Sequence, residues 1–135
     1  IDATFGQESV LAIVRALEAD GSEWAQTTLA TLRAMSPTSL VLTHELLRRA
    51  RNASLAQAFA IDGVLAPRIS RTAEYAEGVR AVIVDKDRNP AWSPPRIEDV
   101  DPETIVALLD EVEAAADRSV AGAVAVARGV VAGRG

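Results

Sequence analysis

Asp85-Lys86-Asp87-Arg88-Asn89-Pro90-Ala91-Trp92-Ser93-Pro94-Pro95 interrupts a chain that otherwise carries helical periodicity. Pro90, Pro94 and Pro95 remove backbone donors and forbid continuous helix, so residues 85–100 are predicted to form a loop. Before it, residues 75–85 read as a short helix with Val79, Val82 and Ile83 apolar. Val82-Ile83-Val84 alone also fits a strand, but the run is short and Glu77-Gly78 precedes it as a helix start. After it, Asp101-Pro102-Glu103 opens a last helix, with Ile105, Leu108, Leu109 and Val112 at helical spacing. The predicted class is all-α.

Working back towards the N-terminus, each helix carries a start or stop signal. Residues 7–20 place Val10, Ile13, Val14 and Leu17 on one face, and Gly21 follows as a stop. Ser22 is the predicted cap of a second helix to Met35, with Trp24, Thr28, Leu29 and Leu32 on one side and Trp24 as a packing anchor. Ser36 caps a third, and Pro37 suits its first position because a missing N–H costs nothing there. Leu40, Val41, Leu46 and Leu47 are expected inward, with Arg48, Arg49 and Arg51 at the negative end of the helix dipole. Ser54 caps a fourth helix towards Pro67, whose expected apolar set is Leu55, Ala58, Phe59, Val64 and Leu65.

Two parts follow from this pattern: a helical region over residues 1–117 and an Ala/Val/Gly-rich tail over 118–135. The tail is open between a disordered end and a helix bound to a partner surface.

The 135 residues suffice for one ordinary domain. With 4% aromatic residues, the core has to be built from Leu, Val, Ile and Ala. A net charge of −5 argues against a nucleic-acid partner, which needs a basic face to replace phosphate counterions. Without Cys there are no disulfides or thiolate metal sites, and a single His makes a His-rich metal site unexpected. No signal peptide or membrane span is read from the sequence, and the Ala- and Arg-rich composition suits a cytoplasmic protein. The first residue is Ile, so a processed or truncated N-terminus is expected.

Residues 77–92 hold the densest chemistry. Lys86 and Arg88 are candidate anion ligands, Lys as a point charge and Arg as a fork. The other reading is a solvated turn in which Arg80 and Arg88 pair with Glu77, Asp85 or Asp87. His44 stands without a Ser, Cys or second His beside it and reads as structural. Trp92 is expected to fold over a helix face. No Gly-rich phosphate loop, nucleophile elbow or metal-ligand spacing is present, so no catalytic or metal-binding residue is assigned.

Ser36-Pro37-Thr38-Ser39-Leu40, Thr43, Glu77-Gly78-Val79-Arg80-Ala81 and Asp85-Lys86-Asp87-Arg88-Asn89-Pro90, with Trp92 and Pro94, resemble in this order the C-terminal part of 3-hydroxyisobutyryl-CoA hydrolases of the crotonase superfamily. Ile1 to Phe5, Ser9-Val10 and Leu17-Glu18 resemble the helix just after that family's catalytic core. The resemblance covers about residues 1–112. The chain departs from the family at Ala60-Ile61-Asp62-Gly63 and at Glu74-Tyr75, and its tail matches nothing in it.

The resemblance implies a C-terminal helical segment of a crotonase fold whose βα spiral lies outside this chain. The Pro-Glu…Pro-Asp stretch that holds the family's carboxylates is not in it, so the chain alone is expected to be inactive. The implied reaction of the parent is hydrolysis of a small hydroxyacyl-CoA thioester in valine breakdown, with no further cofactor. The implied role of this segment is to complete the CoA cleft and the subunit interface. Lys86, and with it Arg88, is implied to approach the phosphates of CoA. The expected partners are the acyl-CoA, the missing core or a second subunit. Two rivals remain: a segment of an enoyl-CoA hydratase or isomerase, and a stand-alone helical interaction module without enzymatic activity. The segment reading predicts an exposed apolar face.

Overall fold

The computed structural model describes residues 2–132 and the side chains of residues 4–125. All regular structure among them is helical, as the sequence predicts: α1 (Asp2–Phe5), α2 (Val10–Asp20), α3 (Glu23–Ala34), α4 (Pro37–Ala50), α5 (Leu55–Ile69), α6 (Ala73–Val79) and α7 (Pro102–Ala132). A π turn over Arg80–Val84 prolongs α6, and a 3-10 turn spans Ile97–Asp99. No helix among the described residues is long and apolar enough to cross a membrane.

The caps follow the local chemistry. Ser9, Ser22, Ser36, Ser54 and Thr72 each accept a hydrogen bond from a backbone N–H three residues on, satisfying a donor that the first turn leaves orphaned. The Ser9 cap sets the start of α2 at Val10, three residues later than its apolar spacing predicts. Gly21 closes α2 at φ +64°, in the left-handed region that a residue without Cβ enters at no steric cost. Asp101 caps α7 by accepting from the Glu103 N–H at 3.0 Å and the Thr104 hydroxyl at 2.7 Å. α7 then continues through the start of the predicted tail as helix to residue 132, and residues 133–135 lie outside the described part.

Two apolar clusters organise the packing. Ile13, Val14 and Leu17 of α2 meet Ala25 and Leu29 of α3. Leu42 of α4, Ile61 and Leu65 of α5, and Ile105, Leu109, Val112 and Ala116 of α7 form the larger one. Leu17 and Leu109 are almost fully buried, worth roughly 2–3 kcal/mol each in transfer from water.

Several expected inward residues sit elsewhere. Trp24 is 43% exposed and touches Phe5 edge-on with ring centroids 6.4 Å apart, while its neighbour Ala25 enters the core. Leu42 takes the inward place expected of Leu47, and Ile61 that of Leu55 and Phe59. The reason is rotational phase: α3 turns Ala25 and Leu29 towards α2, and α5 meets α7 along the Ile61–Leu65 stripe. Pro67 does not end α5, which runs one residue past Arg68.

Apolar surface remains uncovered, as the segment reading predicts. Phe5, Met35, Leu47, Leu55, Phe59, Val82, Ile83 and Val84 are all exposed. Phe5, Met35, Leu40, Leu47 and Trp92 line an open, apolar groove of about 540 Å³.

Candidate functional site

The charged stretch closes on Arg80. Its guanidinium donates from Nε to Glu77 Oε2 and from Nη2 to Glu77 Oε1, both at 2.8 Å. Nη1 donates to Asp85 Oδ2 at 2.6 Å and to Asp87 Oδ2 at 2.7 Å, and Nη2 reaches the Asn89 carbonyl at 3.2 Å. Glu77 also accepts the Ala91 N–H at 2.7 Å, and Asp87 accepts the Asn89 N–H at 2.9 Å. One cation thus gathers three carboxylates and two points of the loop backbone. Only a planar fork with five donors can do this.

The titrations follow the same geometry. Hydrogen bonds from Arg80, and then the Ala91 N–H, hold the Glu77 carboxyl down at about 2. Arg80, and then the Asn89 N–H, lower Asp87. The hydrogen bonds from Glu77, Asp87 and Asp85 raise the already high pKa of Arg80. Glu77 and Asp87 therefore stay ionised at neutral pH and serve as acceptors, so neither is a general acid.

The π turn leads into the loop through the Asp85 N–H to Arg80 carbonyl bond at 2.8 Å, and the Arg88 N–H returns to the Ala81 carbonyl at 3.0 Å. This fold-back holds Lys86 at φ +57° and Arg88 at φ +54°. Left-handed backbone is unfavourable for L-residues with a side chain. Both side chains are exposed, and neither makes an ion pair among the described residues. The pairing expected of a solvated turn is present at Arg80 and absent at Arg88: two acidic neighbours are used up on Arg80, and two cations remain for solvent or a ligand.

Trp92 fixes the far end of the loop. Its Nε1 donates to the Ala34 carbonyl at 3.1 Å, at the end of α3, and its ring covers Gly78 of α6. Ser36, at the start of α4, donates its hydroxyl to Glu74 of α6. These contacts tie the end of α3 and the start of α4 to α6 and to the end of the loop. Between them lies a concavity of about 290 Å³ lined by Ser36, Thr72, Tyr75, Gly78 and Trp92 among others. Sequence spacing carries no signal for the Ser36–Glu74 or Gly78–Trp92 contacts, because each partner has a sufficient local role of its own.

His44 donates Nε2 to the Gln7 carbonyl at 3.1 Å, consistent with a structural part. No group of His, Cys, Asp and Glu suited to a metal ion occurs among the described residues.

Residues 1–109 match the family model described as "Enoyl-CoA hydratase/isomerase". A mitochondrial 3-hydroxyisobutyryl-CoA hydrolase of Dictyostelium discoideum is 40% identical over 108 residues, covering 78% of this chain and 28% of that protein. The protein of the same name from Gallus gallus is 39% identical over 105 residues, covering 78% and 27%. The Homo sapiens protein is 33% identical over 105 residues, again covering 78% and 27%. The chain spans a little over a quarter of the length of these curated relatives.

Proposed function

The chain belongs to the enoyl-CoA hydratase/isomerase family, and from that premise we propose that it is the C-terminal helical segment of a CoA-thioester hydrolase acting on 3-hydroxyisobutyryl-CoA or a close analogue in valine degradation. In this reading the catalytic groups and oxyanion donors lie in another part of the protein. The segment completes the CoA cleft and the contact between subunits. Lys86 supplies a charge to the CoA phosphates, with Arg88 beside it.

What carries this reading is the state of Lys86: exposed, without an ion pair among the described residues, and held in left-handed backbone by a loop whose acidic side chains are engaged elsewhere. An anion is attracted to such a place, and backbone strain of this kind tends to persist where a site uses it. The names of the hydrolase relatives support the thioester class. The exposed Phe5, Met35 and Leu47 support a role in covering another part of the protein or a second subunit. Composition supports a cytoplasmic setting, whereas the relatives carry mitochondrial names; cell fractionation decides between the two.

The test is an assay of the protein of which this chain is a part. The expected result is hydrolysis of 3-hydroxyisobutyryl-CoA, with Lys86→Ala raising KM about tenfold and leaving kcat within about twofold, the signature of a ground-state binding contact. Hydration of an enoyl-CoA without thioester hydrolysis would transfer the segment to a hydratase. Absence of both activities would leave a helical interaction module.

A further inference from the structure

We propose that Arg80 is a positioning residue for the phosphate-binding cations: it removes the two acidic neighbours of Lys86 and fixes the loop that presents Lys86 and Arg88. This rests on the reading of Lys86 as a CoA ligand given above.

The loop has an intrinsic conflict. Asp85 and Asp87 bracket Lys86 in sequence, and Asp87 also precedes Arg88. Left to themselves, these carboxylates would pair with the adjacent cations and repel an incoming phosphate. Arg80 resolves the conflict by taking both of them on one nitrogen, Nη1, at 2.6 and 2.7 Å. Its other edge is locked by the two-point bond to Glu77, so the guanidinium cannot turn away. The same residue holds the loop backbone directly at Asn89 and through Glu77 at Ala91. Together with the bonds to Asp85 and Asp87, these ties hold the chain on both sides of the two left-handed residues and offset the unfavourable φ at each. Phosphate recognition by Lys86 thus depends on a third cation that does not meet the phosphate.

Binding measurements on the protein of which this chain is a part separate positioning from fold support. Coenzyme A and pantetheine, which lacks the phosphates, are titrated by calorimetry into the unaltered protein, Lys86→Ala, Arg80→Lys and the double variant. Lys86→Ala is expected to weaken CoA about tenfold and leave pantetheine unchanged. Arg80→Lys keeps the charge but loses the fork, and is expected to weaken CoA at least about threefold with pantetheine unchanged. The double variant binds CoA less than about threefold worse than Lys86→Ala, because the part of the Arg80 effect that runs through Lys86 is already lost and only the part through Arg88 remains.

Should Arg80→Lys fail to fold, Glu77→Gln gives the answer by its sign. Loosening the Arg80 fork weakens CoA binding, whereas removal of a negative charge alone tightens it. Unchanged CoA affinity in Arg80→Lys with a clear effect of Lys86→Ala overturns the role of Arg80 and leaves the Lys86 reading intact. Equal loss for CoA and pantetheine in Arg80→Lys, or tighter CoA binding in Glu77→Gln, overturns it as well. No effect of Lys86→Ala on CoA removes the Lys86 reading and the proposal together.

Discussion

Trp92 lies across Gly78 so closely that a Cβ on the glycine would stand 3.3 Å from Cη2 of the indole. The ring has little room to yield, because its Nε1 is hydrogen-bonded to the Ala34 carbonyl. A methyl group at 78 therefore pushes the ring off that carbonyl and disturbs the loop behind it. Gly63, in the middle of α5, has nothing within 4 Å of its would-be Cβ. Helix propensity alone favours Ala over Gly by about 1 kcal/mol at both places. Gly63→Ala is thus expected to stabilise the fold by about 0.5–1 kcal/mol in urea unfolding, and Gly78→Ala to gain nothing or lose stability. Equal gains at the two sites would mean that Trp92 is not held against α6.

Arg49 ties α4 to α7 as Arg80 ties the loop to α6. Its side chain is 15% exposed and donates to Glu45 at 2.8 Å, Asp110 at 2.7 Å and Glu113 at 3.0 Å. Arg49→Leu leaves the half-buried Glu45 and Glu113 without this partner, at a cost of about 2 kcal/mol; the exposure of Asp110 keeps it below the range for a fully buried pair. Arg68 makes a single bond to Glu111 at 3.1 Å between two exposed side chains. Arg68→Ala is expected to cost less than about 0.5 kcal/mol. Denaturation midpoints that rank the two variants the other way would sink this view of the α4–α7 contact.

The class and the caps at Ser22, Ser36 and Ser54 were legible because they depend on residues close in sequence: a Ser, the N–H three residues on, a Pro in the first turn. Ser9 and Thr72 cap in the same way, but the apolar spacing placed the starts of their helices elsewhere. The inward faces of α3, α4 and α5 were less so. Ala25 is buried beside an exposed Trp24, and Leu42 beside an exposed Leu47, because the facing helix fixes the rotation and periodicity only says that a face exists. Leu55 and Phe59 are four apart on an apolar stripe, yet α7 meets the Ile61–Leu65 stripe instead. At the candidate site, charge density marked the right stretch. The division of labour within it was not legible: six charges within twelve residues allow many pairings, and only the fold-back of the π turn brings Asp85 and Asp87 to Arg80 while turning Arg88 away from it.

Acid should weaken the fold through carboxylates that donors already hold. Hydrogen bonds from Arg48 bring the Glu45 carboxyl down to about 2 against the effect of its partial burial, with Arg49 adding to them. Arg80 and the Ala91 N–H bring Glu77 to about 2. The ordinary value for both is 4.5, so each folded pKa is depressed. Stability from such a group is fully present above the unfolded pKa and is lost as pH falls through the folded one. The urea midpoint is therefore expected to be level above pH ~5 and to fall between about pH 4.5 and 2. Glu45→Gln and Glu77→Gln should each flatten that fall. An unchanged slope in the double variant would assign acid unfolding to other groups.

Stability and ligand binding should part company at Lys86. Its φ of +57° costs an L-residue roughly 1–2 kcal/mol, and a β-branched residue more. Lys86→Gly removes that strain while adding up to about 1 kcal/mol of unfolded-chain entropy, so the net effect runs from neutral to a gain of about 1 kcal/mol. Lys86→Val keeps the φ, adds crowding at Cβ, and is expected to be less stable than Lys86→Gly by at least about 1 kcal/mol. Both variants lose the ammonium. If Lys86 serves the CoA phosphates, the two should bind CoA equally poorly although Lys86→Val melts well below Lys86→Gly. If Lys86 serves only the fold, CoA affinity should follow the melting temperature, and Lys86→Gly should bind as well as the unaltered protein.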